Sequence, residues 1–472
     1  MPSAAATWRG LPAAARALAV LFLAYSLVHV AYSGVVRQLQ NYSLVQTIMF
    51  GRPLQQYFRE GRPISPSNFR QYGPTFLMGL HPIMACCIGP DPGRIDLDRT
   101  PPVEGTIRLS RALYVVDVVC LVLACWFVVA SIRLWLAESG AGGPAWIAPA
   151  VTLAVVLLWL NYSPMYEVLE VKNVEIWEVC LISAAMYAQL RGRSGWSGGC
   201  IAAAALMKWI PGFLFLLLLL RDRRAFVWGC VWLVALLGVS HAIYGPEMGF
   251  LFPLLVIKAA SGNTIGFTGI ANLSLKGVFA KALGTLKPLP GPHPDFDPGS
   301  GYFVTLSQAR ANLANTLGNL CSLGLTGWMT WALLDRRRRE TSVTNDLWAW
   351  AFAGGIMWVA SPILGYEYSI LILPAFSVAL AMLLVLPEIP GRLTTAALLS
   401  GALFLVANIM PRQIVERIIP VAFLLRWTGY AHLKLTEGYY YFGFPMLGAL
   451  LLLVVLWRLR PPFEAPLEAA PM

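Results

Sequence analysis

The sequence predicts an all-α fold, a polytopic bundle of membrane helices. Hydrophobic residues make up 57% of the 472 positions, and the mean hydropathy is +0.63. Many apolar runs are longer than about 17 residues, the length that crosses a hydrocarbon core. We therefore expect a single integral membrane domain over residues 1–472, built from about 10–12 transmembrane or half-membrane helices.

The positive charge of the chain fits the same class of protein. The formal net charge is +11, and 11 of the 28 arginines lie in four short clusters between apolar runs. These clusters are Arg191 with Arg193, 221–224, 336–339, and Arg458 with Arg460. Such clusters are typical of cytoplasmic loops that follow the positive-inside rule and do not indicate nucleic-acid binding. We expect a multi-pass protein surrounded by membrane lipids in a plasma membrane, and the Arg, Ala, Gly and Pro richness favours a bacterial inner membrane.

The apolar stretches give the expected helices in order. They span 17–36, 74–90, 112–136, 146–161, 166–190, 196–220, 225–244, 305–334, 347–363, 366–386, 393–410 and 438–458. Arg9 and Arg16 precede the first stretch, so its start is predicted to lie in the cytosol. It follows that 37–73 is an outer loop with short interfacial helices, because it lies beyond the first span.

Two further polar stretches complete this organisation. Residues 245–302 are predicted to form a long outer loop, in which the Pro/Gly run 287–301 excludes regular helix. Residues 461–472 form a short polar tail. The eight cysteines lie mostly in apolar stretches, and neither they nor the five histidines show metal-ligand spacing. We therefore expect reduced cysteines, no metal and no cofactor.

Lys208 is the most informative single residue. It lies within the apolar run 201–220 and is followed by Pro211. A charge at the centre of a membrane helix costs about 2.5–3.5 kcal/mol on the mildest scale, and the proline bends or breaks the helix. Basic residues at both ends of 196–220 favour a re-entrant pair of half-helices over one straight crossing. The combination predicts a hydrated or ligand-binding site inside the membrane.

A dense polar stretch precedes this segment. Its ionisable and amide side chains are Glu167, Glu170, Lys172, Asn173, Glu175 and Glu178. On one helix the four carboxylates lie within about 140° of arc, and Lys172 is placed to pair with Glu175 one turn later. The first two carboxylates also fit a solvated helix end, whereas the next three side chains favour a hydrated cavity.

Polar side chains also interrupt three other regions. The bend at 361–369 carries Tyr366 and Glu367, and the outer-loop stretch 269–277 carries Asn272 and Lys276, which are suited to a sugar or phosphate. The first loop carries Gln38 and Tyr42 and ends at Tyr72. A self-satisfied turn is the alternative at the bend. Asp117, alone in its apolar stretch, favours a structural hydrogen bond to a neighbouring helix.

Several of these stretches together carry a family resemblance. They are Gln38 to Tyr42, Tyr72-Gly-Pro74, Lys172-Asn-Val-Glu175, Gly198 to Pro211, Asn272-Leu-Ser-Leu275 and Ser361 to Tyr368. Their order resembles glycosyltransferase family 87, over roughly residues 15–385, with Lys208-Trp-Ile-Pro211 the most specific element. The resemblance implies a GT-C membrane fold and transfer of a hexosyl or pentosyl unit from a polyprenyl-phosphate donor. The acceptor would be a hydroxyl of a lipid or glycan on the extracytoplasmic side.

The resemblance also implies roles for individual residues. Lys208 and Lys276 are candidates for the donor phosphate, with Arg310 weaker, and Gln38, Tyr42, Tyr72, Lys172, Asn173, Asn272 and Tyr366 are candidates for substrate binding. The family's first-loop Asp falls on Gln38, and a glutamine cannot act as a general base. The candidate bases are therefore Glu60, Glu175 and Glu367.

Two other function classes remain open at this stage. A lipid or lipid-sugar transporter also keeps polar groups near the midplane, but it predicts pseudo-symmetric halves, and the sequence shows no internal repeat. A non-catalytic membrane scaffold is compatible with Gln38 at the position of the family's Asp.

Overall fold

The structure is a computed structural model. It describes residues 13–36, 38, 73–88, 104–139, 145–246, 267–269, 272–288, 302–335, 342–362, 365–386, 389, 391–407 and 439–461. The predicted outer loop 37–73 therefore lies outside the described residues except for Gln38 and Gly73, as does the polar tail except for residue 461.

Helices dominate this part of the chain, which confirms the all-α fold class. The first nine are α1 Ala13–His29, α2 Pro74–Ile88, α3 Glu104–Glu138, α4 Ile147–Leu160, α5 Ser163–Val171, α6 Glu175–Leu190, α7 Ser194–Met207, α8 Leu214–Arg221 and α9 Arg223–Tyr244. The next six are α10 Leu275–Leu283, α11 Gln308–Leu334, α12 Val343–Ala360, α13 Leu373–Val385, α14 Arg392–Ala407 and α15 Phe444–Arg458. A π-helical segment, Val30–Val36, continues α1, and 3₁₀ segments at Ile210–Phe213 and Tyr366–Ile372 precede α8 and α13.

The helix bounds agree with most of the apolar stretches in the sequence. The largest difference is α3, which begins at Glu104 rather than near residue 112 and is about 52 Å long at 1.5 Å per residue. Within the described residues, three helical segments are, taken singly, both long and apolar enough to cross a membrane: Glu104–Glu138, Arg223–Tyr244 and Tyr366–Val385. The pair α4 and α5 passes the same test as one span bent by 48°.

One end of the bundle gathers the interhelical basic segments, and we call it the basic end. It comprises Leu190 to Arg193, Arg221 to Arg224 and the start of α12. Side-chain hydrogen bonds connect these segments. Arg221 donates to Asp346, and two bonds of 2.8 Å join Ser194 to Asp222 and Trp350 to Gln189.

The segment from α7 to α8 forms a hairpin, which confirms the re-entrant prediction. The hydroxyl of Ser194, at the start of α7, donates to the Asp222 carboxylate that follows α8, at 2.8 Å. The two ends of the segment therefore meet at the basic end, while Lys208 and the 3₁₀ segment form its tip. The 14 residues of α7 carry that tip about 21 Å across the bundle.

The acidic stretch is not one helix, and this prediction was wrong. Lys172 ends α5 in the left-handed conformation, with φ 53° and ψ 55°, and α6 begins only at Glu175. The Asn173 side chain accepts a hydrogen bond from the amide of Val174 at 2.9 Å, which stabilises the turn between the helices. The common arc and the Lys172–Glu175 pair, both calculated for a continuous helix, do not form.

A small antiparallel sheet flanks α10 in the predicted long outer loop. Its strands are β1 Phe267–Gly269, β2 Thr285–Pro288 and β3 Tyr302–Thr305, with β3 in the centre. Val304 of β3 is fully buried. The Pro/Gly run is not helical where the structure describes it, since β2 ends at Pro288.

Candidate functional site

The centre of the site is the ammonium of Lys208 at the tip of the hairpin. Lys208 is extended, with φ −148° and ψ 133°, and its Nζ donates to Oε1 of Glu175 on the first turn of α6. The two side chains are 2% and 0% exposed. The ammonium also lies over the ring of Tyr368, 3.9 Å from its centroid. Pairing, a cation–π contact and burial together fix the charge in the protein interior.

A second carboxylate makes this cluster unusual. Glu178, one turn after Glu175, is fully buried, and neither of its carboxyl oxygens has a hydrogen-bond partner among the residues that the structure describes. The same holds for Oε2 of Glu175. Buried polar atoms without partners are rare in folded proteins and call for an explanation. Two carboxylates and one ammonium leave a net negative charge if both acids are ionised.

The backbone on both sides of the cluster is irregular. Lys172 is the one non-glycine residue with positive φ in the described part of the chain, a conformation that costs about 1–2 kcal/mol. Lys172 and Asn173 are 5% and 2% exposed. The turn thus places the predicted Lys172, Asn173 and Glu175 in the interior next to the hairpin tip.

The Gly73-Pro74 part of the predicted motif, at the start of α2, contacts the hairpin tip. The amide of Gly73 donates to the carbonyl of Met207 at 2.7 Å, directly before Lys208. Further along α2, Gly79 packs on Trp177, whose indole donates to the Asp117 carboxylate at 2.8 Å. The prediction that Asp117 bonds a neighbouring helix is confirmed.

The 3₁₀ segment after α12 closes the cluster from another side. Its backbone is held by Trp358, which donates to the Tyr368 carbonyl at 2.9 Å, and by Tyr162, which donates to the Ser369 carbonyl at 2.6 Å. Tyr366 and Tyr368 are buried, whereas Glu367 between them is partly exposed. We call this end, with Glu175, Lys208 and the 3₁₀ segment, the site end.

Two tyrosines that the sequence analysis did not identify extend the site end. Tyr440 and Tyr439 lie 5.5 Å and 6.3 Å from Tyr366 between ring centroids. They belong to the aromatic run 439–442 directly before α15. That run was the available signal, because aromatic residues with a polar group gather at membrane–water interfaces.

The predicted outer-loop residues pack around α10. Asn272 accepts from the amide and hydroxyl of Ser274, at 3.1 Å and 2.8 Å, so its amide oxygen stabilises the start of α10. Lys276 is 5% exposed against Gly318 of α11, and burial lowers the pKa of its ammonium. Arg310 of α11 donates to the Leu283 carbonyl at 3.2 Å.

Lys281 is a further buried cation that the sequence analysis missed. Its ammonium donates to the carbonyls of Asn272 at 2.9 Å and Tyr440 at 2.7 Å. Burial lowers the pKa of Lys281 to about 7. Through Tyr440, which packs on Tyr366, α10 is connected to the site end.

Gln38 takes a structural position at the end of the first helix. Its side-chain amide donates to the carbonyls of Ser33 at 3.2 Å and Tyr166 at 3.3 Å, which connects the π-helical segment to α5. Its amide oxygen is buried with no hydrogen-bond partner among the described residues. Tyr42, Glu60 and Tyr72, the other first-loop candidates, lie outside the described residues.

Of two cavities on the surface of the bundle, one adjoins the hairpin tip and the other lies along α11. The first, about 380 Å³, is lined by Trp209, Phe213, Asn319, Ser322, Leu323, Thr326, Ala360 and Pro362. The second, about 620 Å³, shares Leu323 and Thr326 and continues along α11 to Asp335. Lys208 does not line either cavity, but Trp209, its neighbour in sequence, lines the first. Among the described side chains no three His, Cys, Asp or Glu residues form a metal site.

Comparison with known families gives one match. The family model described as glycosyltransferase family 87 matches residues 107–362, more than half of the chain. This range contains Lys208, both carboxylates of the buried cluster and the whole of α12, but neither Gln38 nor Tyr440. No curated protein matches the chain.

Proposed function

We propose, from the premise that the chain belongs to glycosyltransferase family 87, that it transfers a hexosyl or pentosyl unit from a polyprenyl-phosphate donor to a hydroxyl acceptor. The protein is a membrane glycosyltransferase; the donor, the acceptor and the GT-C type of fold are parts of the proposal. The observation that carries it is the enclosed Lys208–Glu175–Glu178 cluster at the tip of a re-entrant hairpin. Such groups in a membrane protein favour function over stability.

The surroundings of the tip support a lipid-linked donor. Trp209 and Phe213 line a cavity that continues along the apolar side of α11 past Leu323, which is 67% exposed. An isoprenoid chain lying there would bring its phosphate to the end of the cavity nearest Lys208. In the present arrangement Lys208 is paired with Glu175, so we propose that the donor phosphate replaces this carboxylate as the partner of the ammonium.

The distribution of charge supports a site on the extracytoplasmic side. Among the described residues, the arginines of 190–193 and 221–224 lie together at the basic end, which the positive-inside rule assigns to the cytoplasm. The 16 residues of α6 separate Glu175 from that end by about 24 Å. We propose that the protein lies in the plasma membrane, which in a bacterium is the inner membrane. In that membrane this orientation places the site outside the cytoplasm.

Glu367 is our candidate for the general base. A base has to reach the acceptor hydroxyl, remove its proton as the sugar bonds to the acceptor oxygen, and leave the phosphate with the departing lipid. Glu367 is partly exposed at the site end, next to Tyr366, whereas Glu175 is fully enclosed by its pairing with Lys208. We propose that Glu175 positions Lys208. Glu60 is the alternative base, because it lies in the first loop.

The remaining candidates fit binding roles around this centre. Tyr366 offers an aromatic edge beside Glu367 for a sugar ring, while Lys172 and Asn173 border the buried cluster. Asn272 and Lys276 are held in α10 and its N-terminal turn, so they fit a role in shaping the outer surface next to Tyr440. For Gln38, Tyr42 and Tyr72 we propose contacts from the first loop.

The test is transfer by the purified protein in liposomes. Radiolabelled polyprenyl-phosphate hexose and polyprenyl-phosphate pentose are supplied in turn with membrane extract as the source of acceptors. We expect label in an acceptor product for one donor, loss of that product in Glu367→Gln, and full activity in the control Glu138→Gln at the exposed end of α3. Full activity of Glu367→Gln and loss in Glu60→Gln would move the base to the first loop.

Gln38 favours a second candidate function, binding of the lipid-linked sugar without transfer. Its amide is already used in two backbone contacts, and it stands where the family has an Asp. This function predicts donor binding, measured by retention of labelled donor on the purified protein, with no product from either sugar. It also predicts that Gln38→Asp gains transfer.

A further inference from the structure

An apolar groove opens at the basic end, and its mouth lies at the opposite end of α7 from the hairpin tip. It has a volume of about 510 Å³ and lies between α7 and α9, with α6 behind it. The lining residues are Leu181, Gly195, Trp196, Gly199, Cys200, Ala203, Trp228, Trp232 and Leu236. The groove descends from the first turn of α7 to Ala203, about 12 Å along the helix. None of its lining residues belongs to the proposed site.

Small residues of α7 and tryptophans of α9 give the groove its shape. A side chain at Gly199 would meet the indole of Trp232 at 3.0 Å, and one at Gly195 would reach Trp228 at 4.0 Å. The absence of a side chain at Gly199 therefore lets the indole of Trp232 lie directly against α7, where both residues line the groove. Trp228 and Trp232 are about half exposed, at 51% and 46%. Tryptophans of this kind are typical of the boundary between hydrocarbon and headgroups.

The mouth of the groove is positively charged. Arg193 and Arg223 directly flank Ser194 and Asp222, whose side chains are 2.8 Å apart. Both arginines are exposed. The nearest carboxylate, Asp222, is engaged, since it also accepts from the amide of Ala225 at 3.0 Å. The arginines therefore remain available to an anion in the headgroup layer.

We propose that this groove binds one anionic glycerophospholipid, with an acyl chain between α7 and α9 and its phosphate at Arg193 and Arg223. The apolar depth fits a chain that enters from the membrane surface, and the charge at the mouth selects a headgroup with net negative charge. The bound lipid connects the two ends of the re-entrant hairpin to α9. The inference does not depend on which sugar or donor the protein uses.

The first test measures lipid binding by native mass spectrometry of the delipidated protein in detergent. Phosphatidylglycerol and phosphatidylcholine with identical acyl chains are added separately. We expect one phosphatidylglycerol to bind about tenfold more tightly than phosphatidylcholine, because two arginines face the headgroup. Arg193→Gln with Arg223→Gln should remove this preference and leave weak binding of both lipids. Equal affinity of the wild-type protein for both lipids would overturn the headgroup assignment.

Gly199→Leu tests the acyl-chain site, because the new side chain fills the groove. The matched control is Gly238→Leu on the exposed side of α9, where an added side chain meets open space. We expect Gly199→Leu to lose the bound phosphatidylglycerol and Gly238→Leu to keep it. Retention of the lipid by a folded Gly199→Leu protein would refute the proposal.

A second measurement covers the case in which Gly199→Leu does not fold. Cys200 lines the groove, whereas Cys230 is exposed on α9 and does not line it. Alkylation by N-ethylmaleimide, followed by peptide mass spectrometry, should be slower at Cys200 when phosphatidylglycerol is present, with no change at Cys230. Equal alkylation of Cys200 with and without the lipid would contradict a bound acyl chain.

Discussion

Each end of the bundle holds a buried ion pair, but the two pairs are satisfied to different degrees. At the basic end the Asp346 carboxylate accepts from Nε of Arg221 at 3.0 Å and from Nη2 of the same side chain, and it remains 20% exposed. At the site end Lys208 and Glu175 are almost completely enclosed. Glu178 adds a second carboxylate there without a hydrogen-bond partner in the described part of the chain.

The comparison indicates which pair stabilises the fold, and it supports the role that we propose for the other pair. Desolvation of a buried pair is offset only when geometry is good and the remaining polar atoms are satisfied. In the Arg221–Asp346 pair two guanidinium nitrogens donate to one carboxylate oxygen, Oδ1, and the partial exposure of Asp346 lowers the desolvation cost. The site end does not meet this condition, so its charges are poor stabilisers. The presence of these buried charges at the site end is better explained by a ligand that replaces either Lys208 or Glu175 as the partner of the other.

The largest expected effect follows removal of the cation at the site end. Lys208→Met leaves two carboxylates buried without their ammonium, which should cost about 3–5 kcal/mol of unfolding free energy. The double variant Lys208→Met with Glu175→Gln should recover much of this loss, since a charge is removed with each partner. Thermal unfolding in detergent measures the stability of both variants.

The double variant also separates folding from function. If the proposed phosphate site is correct, it should be folded and unable to transfer sugar from the labelled donor. Transfer by the double variant at the wild-type rate would show that Lys208 does not belong to the site. A wild-type melting temperature for Lys208→Met alone would show that the ammonium does not stabilise the two buried acids.

At the basic end, breaking the ion pair should affect stability alone. Asp346→Asn removes the charge that Arg221 contacts and should cost about 1.5–3 kcal/mol, the range for a hydrogen bond to a charged group. The transfer rate per folded molecule should equal that of the wild type. Glu138→Gln, at an exposed position of the same end, is the control and should melt as the wild type does. A loss of transfer greater than the loss of folded protein would contradict the division between the two ends.

Lys281 gives the site end a pH-dependent stability. Burial lowers the pKa of its ammonium to about 7, whereas an unfolded lysine keeps a pKa near 10.5. The cost of burying the charged form is therefore fully present below pH 7 and is relieved as the pH rises towards the unfolded pKa. Between pH 7 and 9 this residue should add at most about 1.4 kcal/mol of stability per pH unit.

The measurement compares the wild type with Lys281→Met, whose stability lacks this contribution. The difference between their melting temperatures should change as the pH rises from 7 to 9, with the wild type gaining relative to the variant. Lys287→Met, at an exposed position of β2, is the matched control and should follow the wild type at every pH. Parallel curves for the wild type and Lys281→Met would show that Lys281 stays charged in the fold.

The sequence predicted the helices and the hairpin because the signals for both are local. Apolar length sets the helix bounds, and the adjacent Lys208 and Pro211 reveal the tip of the hairpin without knowledge of its partners. The same kind of local reasoning identified Asp117 as a residue that bonds a neighbouring helix.

The features of the site that the sequence did not predict depend on contacts between distant parts of the chain. The break at Lys172 has no glycine or proline in its sequence, so helical periodicity continued through it and gave the wrong partner for Glu175. The observed partner, Lys208, lies 33 residues away. Tyr440 joins the site end from a segment after α14, and no local pattern indicates that it packs on Tyr366. Tertiary packing decides such positions, and a single sequence does not show it.

The smallest expected effect is also the most specific for the site end, because its sign is unusual. Glu178→Gln keeps the shape of the side chain and removes a buried acidic group beside Glu175, so it should leave stability unchanged or raise it by about 1 kcal/mol. Glu175→Gln, one helical turn away, should lower stability, since it removes the direct partner of Lys208. In a double-mutant cycle the two changes should be strongly non-additive, because both carboxylates share one ammonium. Additive effects, or a destabilised Glu178→Gln, would show that Glu178 has a separate partner and that the cluster is as well satisfied as the pair at the basic end.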